Sequence, residues 1–138
     1  MSATSQVIYL GSLRTDSTHL GSGHSITTDA PLDNNGKGQK FSPTDLAATS
    51  LASCMLTVMG IAAQKRDITF SAIKADVTKI MASNPRRIAE VHIELHINHP
   101  EWTEKERNLM ENTALNCPVA KSLHPDIKQK VRFNYQER

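Results

Sequence analysis

Aromatic residues are scarce in this 138-residue chain, at 4%, and cysteine occurs only twice. A dominant charge is missing as well, because 16 basic residues face 14 acidic ones for a formal balance of +2. Without a strong field there is nothing to steer polyanions, so no nucleic acid partner is expected. The first residues, MSATSQVIYLGSLR, lack a basic stretch followed by an apolar one, and nothing there marks export. Two cysteines 63 residues apart in such a chain are expected to rest as thiols in a reducing, cytoplasmic setting. The length predicts one domain, residues 1–138, small enough to gain from a partner subunit.

What the chain does have is FSPTDLAATSLASCMLTVMGIAAQKR, from Phe41 to Arg66, with 18 uncharged residues between Asp45 and Gln64. As a helix that run covers about 27 Å, close to the thickness of a hydrocarbon core. Thr49, Ser50, Ser53, Thr57 and Gly60 would each lose hydration in lipid, so a buried helix is expected and no membrane span. Its start is well marked, with Ser42 as N-cap, Pro43 at the first helical position and Asp45 placed to reach back. Ala47, Leu51, Cys54, Val58 and Ile61 share one face, while Ala48, Ala52, Met55, Met59 and Ala63 form a second apolar row. A helix apolar on both rows is expected to be central, running to about Lys65.

Around it the pattern is extended. QVIYL, LRTDSTHL and SGHSITT, broken by Gly11, Gly21, Gly23 and Asp29, predict an antiparallel meander. The segment DNNGKGQK has a G-x-G but neither the preceding strand nor the third glycine of a phosphate cradle, and it is expected to be a connection. Ile73, Ala75 and Val77, then Val91, Ile93, Leu95 and Ile97, alternate with polar residues on either side of an Asn84-Pro85 turn and predict a half-buried hairpin. Thr103 and Glu106 make a capping box before ERNLMENTALN, CPVAKSL opens another helical turn, and DIKQKVRFNY is a last strand. The order predicts an α+β fold.

Few residues in this frame can carry chemistry. HIELH imitates a metal site, yet on a strand the α-carbons of His92 and His96 stand about 13 Å apart, too far for one ion. No metal and no cofactor is expected, and His19, His24, His99 and His124 have no ligand spacing. Cys117 precedes Pro118 at a helix N-cap, where free amides favour a thiolate, whereas Cys54 lies mid-helix without such help. Each thiol alone reads as a small buried hydrophobe.

SPTDLAATSLASCM and NCPVAKSL, taken together, resemble the two cysteine motifs of the OsmC/Ohr proteins, thiol peroxidases that reduce organic hydroperoxides. The order of elements is similar to that family's over nearly the whole chain. The resemblance implies an intertwined homodimer, with antiparallel sheets packed around the long central helices and active sites at the subunit interface. It further implies that Cys54 attacks the peroxide and becomes a sulfenic acid, that Cys117 resolves it as a disulfide, and that a dithiol donor such as a lipoylated protein returns the electrons. The family stabilises its thiolate with an arginine, for which Arg14 is the candidate; Lys37 and Lys40 are the cations nearer the long helix. Where the family pattern places a glutamate ten residues before the first cysteine, this chain has Thr44, with Asp45 beside it. That departure leaves a second reading open, a non-enzymatic dimer of the same fold binding a small apolar ligand, and a third, a purely structural dimer module.

Overall fold

The computed structural model describes residues 2–71, 73–98 and 101–136. The chain divides into two compact units, one up to Ala47 and one from Ala48 onward.

In the first unit, strands β1 (Ser5–Gly11), β2 (Arg14–His19) and β3 (Ser25–Asp29) form an antiparallel sheet in that order. The β1–β2 turn is tight, with Gly11, Ser12 and Leu13 all at positive φ. The meander expected from the turn residues is therefore present, with one revision. Asp29, expected to break the extended pattern, is instead the last residue of β3, fully buried and registered opposite Arg14. After a single turn of 3-10 helix at Leu32–Asn34, the connection folds back so closely that a β-carbon on Gly36 would stand 1.8 Å from the Ala30 carbonyl oxygen. Glycine is required there by space.

Helix α1 (Pro43–Lys65) starts as its sequence dictates. The Asp45 amide donates to Ser42 Oγ at 3.0 Å, and the Ser42 amide donates to Asp45 Oδ2 at 2.9 Å. From Ala48 onward one stripe of α1, Ala48, Leu51, Ala52, Met55, Met59, Ala62 and Ala63, is buried at helical spacing. The other apolar row is open in the single chain: Cys54 and Val58 are half-buried and Ile61 is 48% exposed. Among the described residues α1 is the helix long and apolar enough to cross a membrane by length and composition, and 39% of its most apolar window is buried inside the chain.

The second unit is built on β4 (Ile73–Ala82), β5 (Arg87–Asn98) and β6 (Lys128–Gln136), in that order, with β5 central. β4 and β5 form the expected antiparallel hairpin, with a bulge at Ile80–Met81. β6 instead pairs parallel to β5, from Glu90 opposite Lys128 to Asn98 opposite Gln136, so this sheet is mixed. Alternation reports which face is buried and is silent on strand direction. Direction is set by the connection, because α2 (Glu104–Leu115) and α3 (Pro118–Ser122) supply the long crossover that a parallel pair requires. Val91, Ile93, Leu95 and Ile97, each no more than 1% exposed, share one core with the α1 stripe, Trp102, Met110, Ala114 and Cys117.

Gly36→Ala is expected to lower stability by roughly 1–3 kcal/mol, because the new methyl group must displace backbone. Chemical denaturation measures this, and an unchanged midpoint would contradict the close approach to Ala30.

Candidate functional site

Cys117 is positioned by a helix break. α2 ends at Leu115 with Asn116 as its C-cap; the Cys117 amide then donates to the Ala114 carbonyl at 3.3 Å, and Cys117 itself caps α3 with Pro118 at the first helical position. Its sulfur accepts the Ala120 amide at 3.4 Å. The residue is 1% exposed and belongs to the core.

Cys54 reaches the same place from α1. It sits on the half-open row and packs against the core that contains Cys117, within side-chain hydrogen-bonding reach of that thiol. Both sulfurs are free thiols. Burial pushes the Cys117 thiol up and the hydrogen bond to Cys54 adds to the effect, while the amides of Ala120 and Val119 oppose it. The helix-terminal position expected to make Cys117 a thiolate is real, but burial outweighs it.

Arg14, the third candidate, belongs to the first unit, where its fork is closed on a carboxylate. Nε donates to Asp29 Oδ1 at 2.7 Å, and one terminal nitrogen donates to Asp29 Oδ2 at 2.9 Å and to Gln39 Oε1 at 2.9 Å. The Gln39 amide adds a bond to Asp29 Oδ2 at 3.2 Å, so one buried carboxylate ties two strands to the connection ahead of α1. The guanidinium hydrogen bonds hold Asp29 below the usual carboxylate range against the opposing effect of burial. The sequence reading missed Asp29. The signal available was an acid ending one strand of a meander whose neighbouring strand opens with an arginine. Of the two residues at the place of the family glutamate, Thr44 Oγ1 lies 3.2 Å from Ser42 Oγ, and Asp45 serves the helix cap.

His92 and His96 lie on the solvent side of β5, paired with Glu90 at 2.9 Å and Asp76 at 2.8 Å. The hydrogen bonds from His92 and then from Lys130 pull Glu90 down to about 2. A polar groove of about 470 Å³ runs over this face between Asp76, Thr78, Glu94 and Arg132. Among the described residues no group of three potential ligands could hold a metal ion, and His99 lies outside them. A second groove, about 340 Å³, runs along α1 between Leu56, Gly60, Ile61, Ile68 and Phe70.

Residues 36–132 match the family model described as OsmC-like protein. A crystal structure from Psychrobacter arcticus 273-4, provisionally described as an osmotic stress induced and detoxification response protein, is 55% identical, covers 96% of each chain and superposes with a TM-score of 0.92. An OsmC like protein from Mycoplasma pneumoniae shares the fold at 18% identity, over 99% of this chain and 98% of that one, with a TM-score of 0.80. So does an organic hydroperoxide resistance protein OsmC from Legionella pneumophila, at 15% identity, 97% and 98% coverage and a TM-score of 0.71. No curated protein matches.

Asp29→Asn is expected to destabilise the chain at neutral pH by roughly 2–4 kcal/mol, since it leaves the Arg14 guanidinium without its charge partner. Because the folded-state pKa of Asp29 is depressed, its contribution is complete above the unfolded value and is lost as pH falls through the folded one. Denaturation of both proteins across the acid range should therefore show the gap closing as pH falls; a gap independent of pH would count against the pair.

Proposed function

The chain belongs to the OsmC-like protein family, and on that footing we propose that it is a thiol-dependent peroxidase that reduces organic hydroperoxides. The observation that carries the reading is the meeting of two thiols 63 residues apart in the sequence, in an apolar surround. Cys54 is the attacking sulfur because it occupies the accessible row of α1. Cys117, buried beside it, is the sulfur that traps the sulfenic acid before further oxidation. The family fold is linked to hydroperoxide resistance through relatives bearing that name.

Arg14 is the proposed electrostatic aid, held rigid by Asp29 and weakened by it, since a matched charge contributes less to a thiolate than a free one. A dithiol, such as a lipoylated protein, would return the electrons in a reducing, cytoplasmic setting.

Proteins of this family are typically dimeric. Two surfaces support a homodimer here rather than a membrane partner. Val7, Ile8, Tyr9 and Leu10 are each more than half exposed on both faces of the edge strand β1. The open row of α1 mixes Ile61 with Ser53 and Thr57, a composition suited to another helix and ill suited to lipid. The groove of about 340 Å³ along α1 and the Thr44 substitution favour a second reading, a non-enzymatic dimer that holds a small apolar ligand.

Reduced protein mixed with cumene hydroperoxide is expected to lose both thiols for each hydroperoxide consumed, and Cys54→Ser to consume none. Survival of both thiols with the hydroperoxide intact would sink the peroxidase reading in favour of the ligand-binding one. Sedimentation analysis is expected to give a mass twice that of the chain; a monomer at micromolar concentration contradicts the dimer.

A further inference from the structure

One cluster of side chains in the second unit has no part in the peroxidase reading: Phe70, Trp102, Arg107, Glu111 and Tyr135. Trp102, just ahead of α2, stacks on Phe70 with ring centroids 6.4 Å apart and meets the Tyr135 ring edge-on at 6.2 Å. Its indole N–H donates to the Thr69 carbonyl at 2.9 Å. The Tyr135 phenol, on β6, donates to Glu111 Oε2 of α2 at 2.6 Å, and the Arg107 guanidinium lies over the same ring, 4.1 Å from its centroid. Packing accounts for the rings and leaves the order of the polar groups around them to be explained.

That order separates a path for an electron from a path for a proton. An indole that loses an electron becomes acidic, but a backbone carbonyl is a poor base, so Trp102 has no ready way to shed its proton and settle as a neutral radical. The electron hole then passes to the ring in edge contact. A phenol that loses an electron is more acidic still, and Tyr135 has a carboxylate acceptor already in line. The Arg107 cation over the ring opposes positive charge there, so the electron leaves as the proton crosses to Glu111. We infer that Trp102 and Tyr135 form a redox site for one-electron oxidants of the alkoxyl-radical class, with Glu111 as the proton acceptor of Tyr135.

The electrons and protons balance. An alkoxyl radical takes one electron from Trp102 and one proton from solvent, and leaves as the alcohol. Trp102 recovers its electron from Tyr135, whose phenolic proton passes to Glu111, leaving a neutral phenoxyl radical. A small thiolate in solution then returns one electron, the proton goes back from Glu111 to the phenol, and a thiyl radical departs. Exposure suits this direction, since Trp102 is 8% exposed while Tyr135 is only half-buried. The oxidising equivalent ends on a ring that a solvent reductant reaches.

The chain holds one tryptophan and two tyrosines, so a Tyr9→Phe background leaves a single indole and a single phenol to follow. Photogenerated ruthenium(III) tris-bipyridine serves as the oxidant, and transient absorption distinguishes the indole radical from the phenoxyl radical. The phenoxyl signal is expected to rise as the indole signal decays, at a rate independent of oxidant concentration. Tyr135→Phe is expected to abolish that decay. Glu111→Gln keeps an acceptor for the phenol but removes the base, and is expected to slow the phenoxyl rise roughly tenfold or more, the effect of one charge-assisted hydrogen bond on a rate. Near-ultraviolet circular dichroism checks that both variants are folded, and in a folded protein a purely packing role for Glu111 would leave the rate unmoved. The inference is overturned if the indole radical decays as fast without Tyr135 as with it, if Glu111→Gln forms the phenoxyl radical at an unchanged rate, or if the Tyr9→Phe protein gives no phenoxyl radical. Hydroperoxide consumption through Cys54 is a separate readout, so either reading can fail without the other.

Discussion

One contact organises the candidate site, that between the Cys54 and Cys117 side chains in a place where burial pushes the Cys117 thiol up. Neither sulfur creates it alone. Cys54 is fixed by a helix whose start is locked at Ser42 and Asp45 and whose buried stripe from Ala48 to Ala63 sets its rotation against the core. Turning α1 by one residue, about 100°, would exchange the Cys54 row for the Met55 row and carry the thiol away from its partner. Cys117 is fixed by the interruption between α2 and α3, where Asn116 ends one helix and Pro118 begins the next. The same crossover makes β6 parallel to β5 and completes the sheet on which α1 rests.

Arg14 and Asp29 show why a residue type does not settle a role. An arginine in the first hairpin reads as a free cation for a thiolate, yet its fork is occupied by a fully buried carboxylate and by Gln39. The ion pair fastens the connection that leads into α1, so its first effect is on the order of that segment.

Much of the architecture was legible in the residues because local rules agree with one another in this chain. The Ser42–Asp45 and Thr103–Glu106 boxes mark two helix starts, and both hold in the structure. Alternation from Val91 to Ile97 marks the buried face of β5, and its polar counterpart turns His92 and His96 outward, toward Glu90 and Asp76. Long-range facts were not legible. The parallel direction of β6, the pairing of Arg14 with Asp29 and the one-sided burial of α1 all depend on which elements meet. An apolar row left open in the single chain looks the same in sequence as one buried within it. The meeting of the two cysteines was likewise implied by resemblance and not by spacing, since residues 63 apart have no local reason to touch.

The most direct test of the sulfur contact is residue-resolved alkylation of Cys54 and Cys117 as a function of pH, read by mass spectrometry on reduced protein. Cys117 is predicted to titrate above an ordinary thiol, and its midpoint is predicted to fall in Cys54→Ala, because the partner that helps hold its proton is gone. An ordinary midpoint for Cys117, or one that does not change when Cys54 is removed, would contradict the contact and the chemistry built on it.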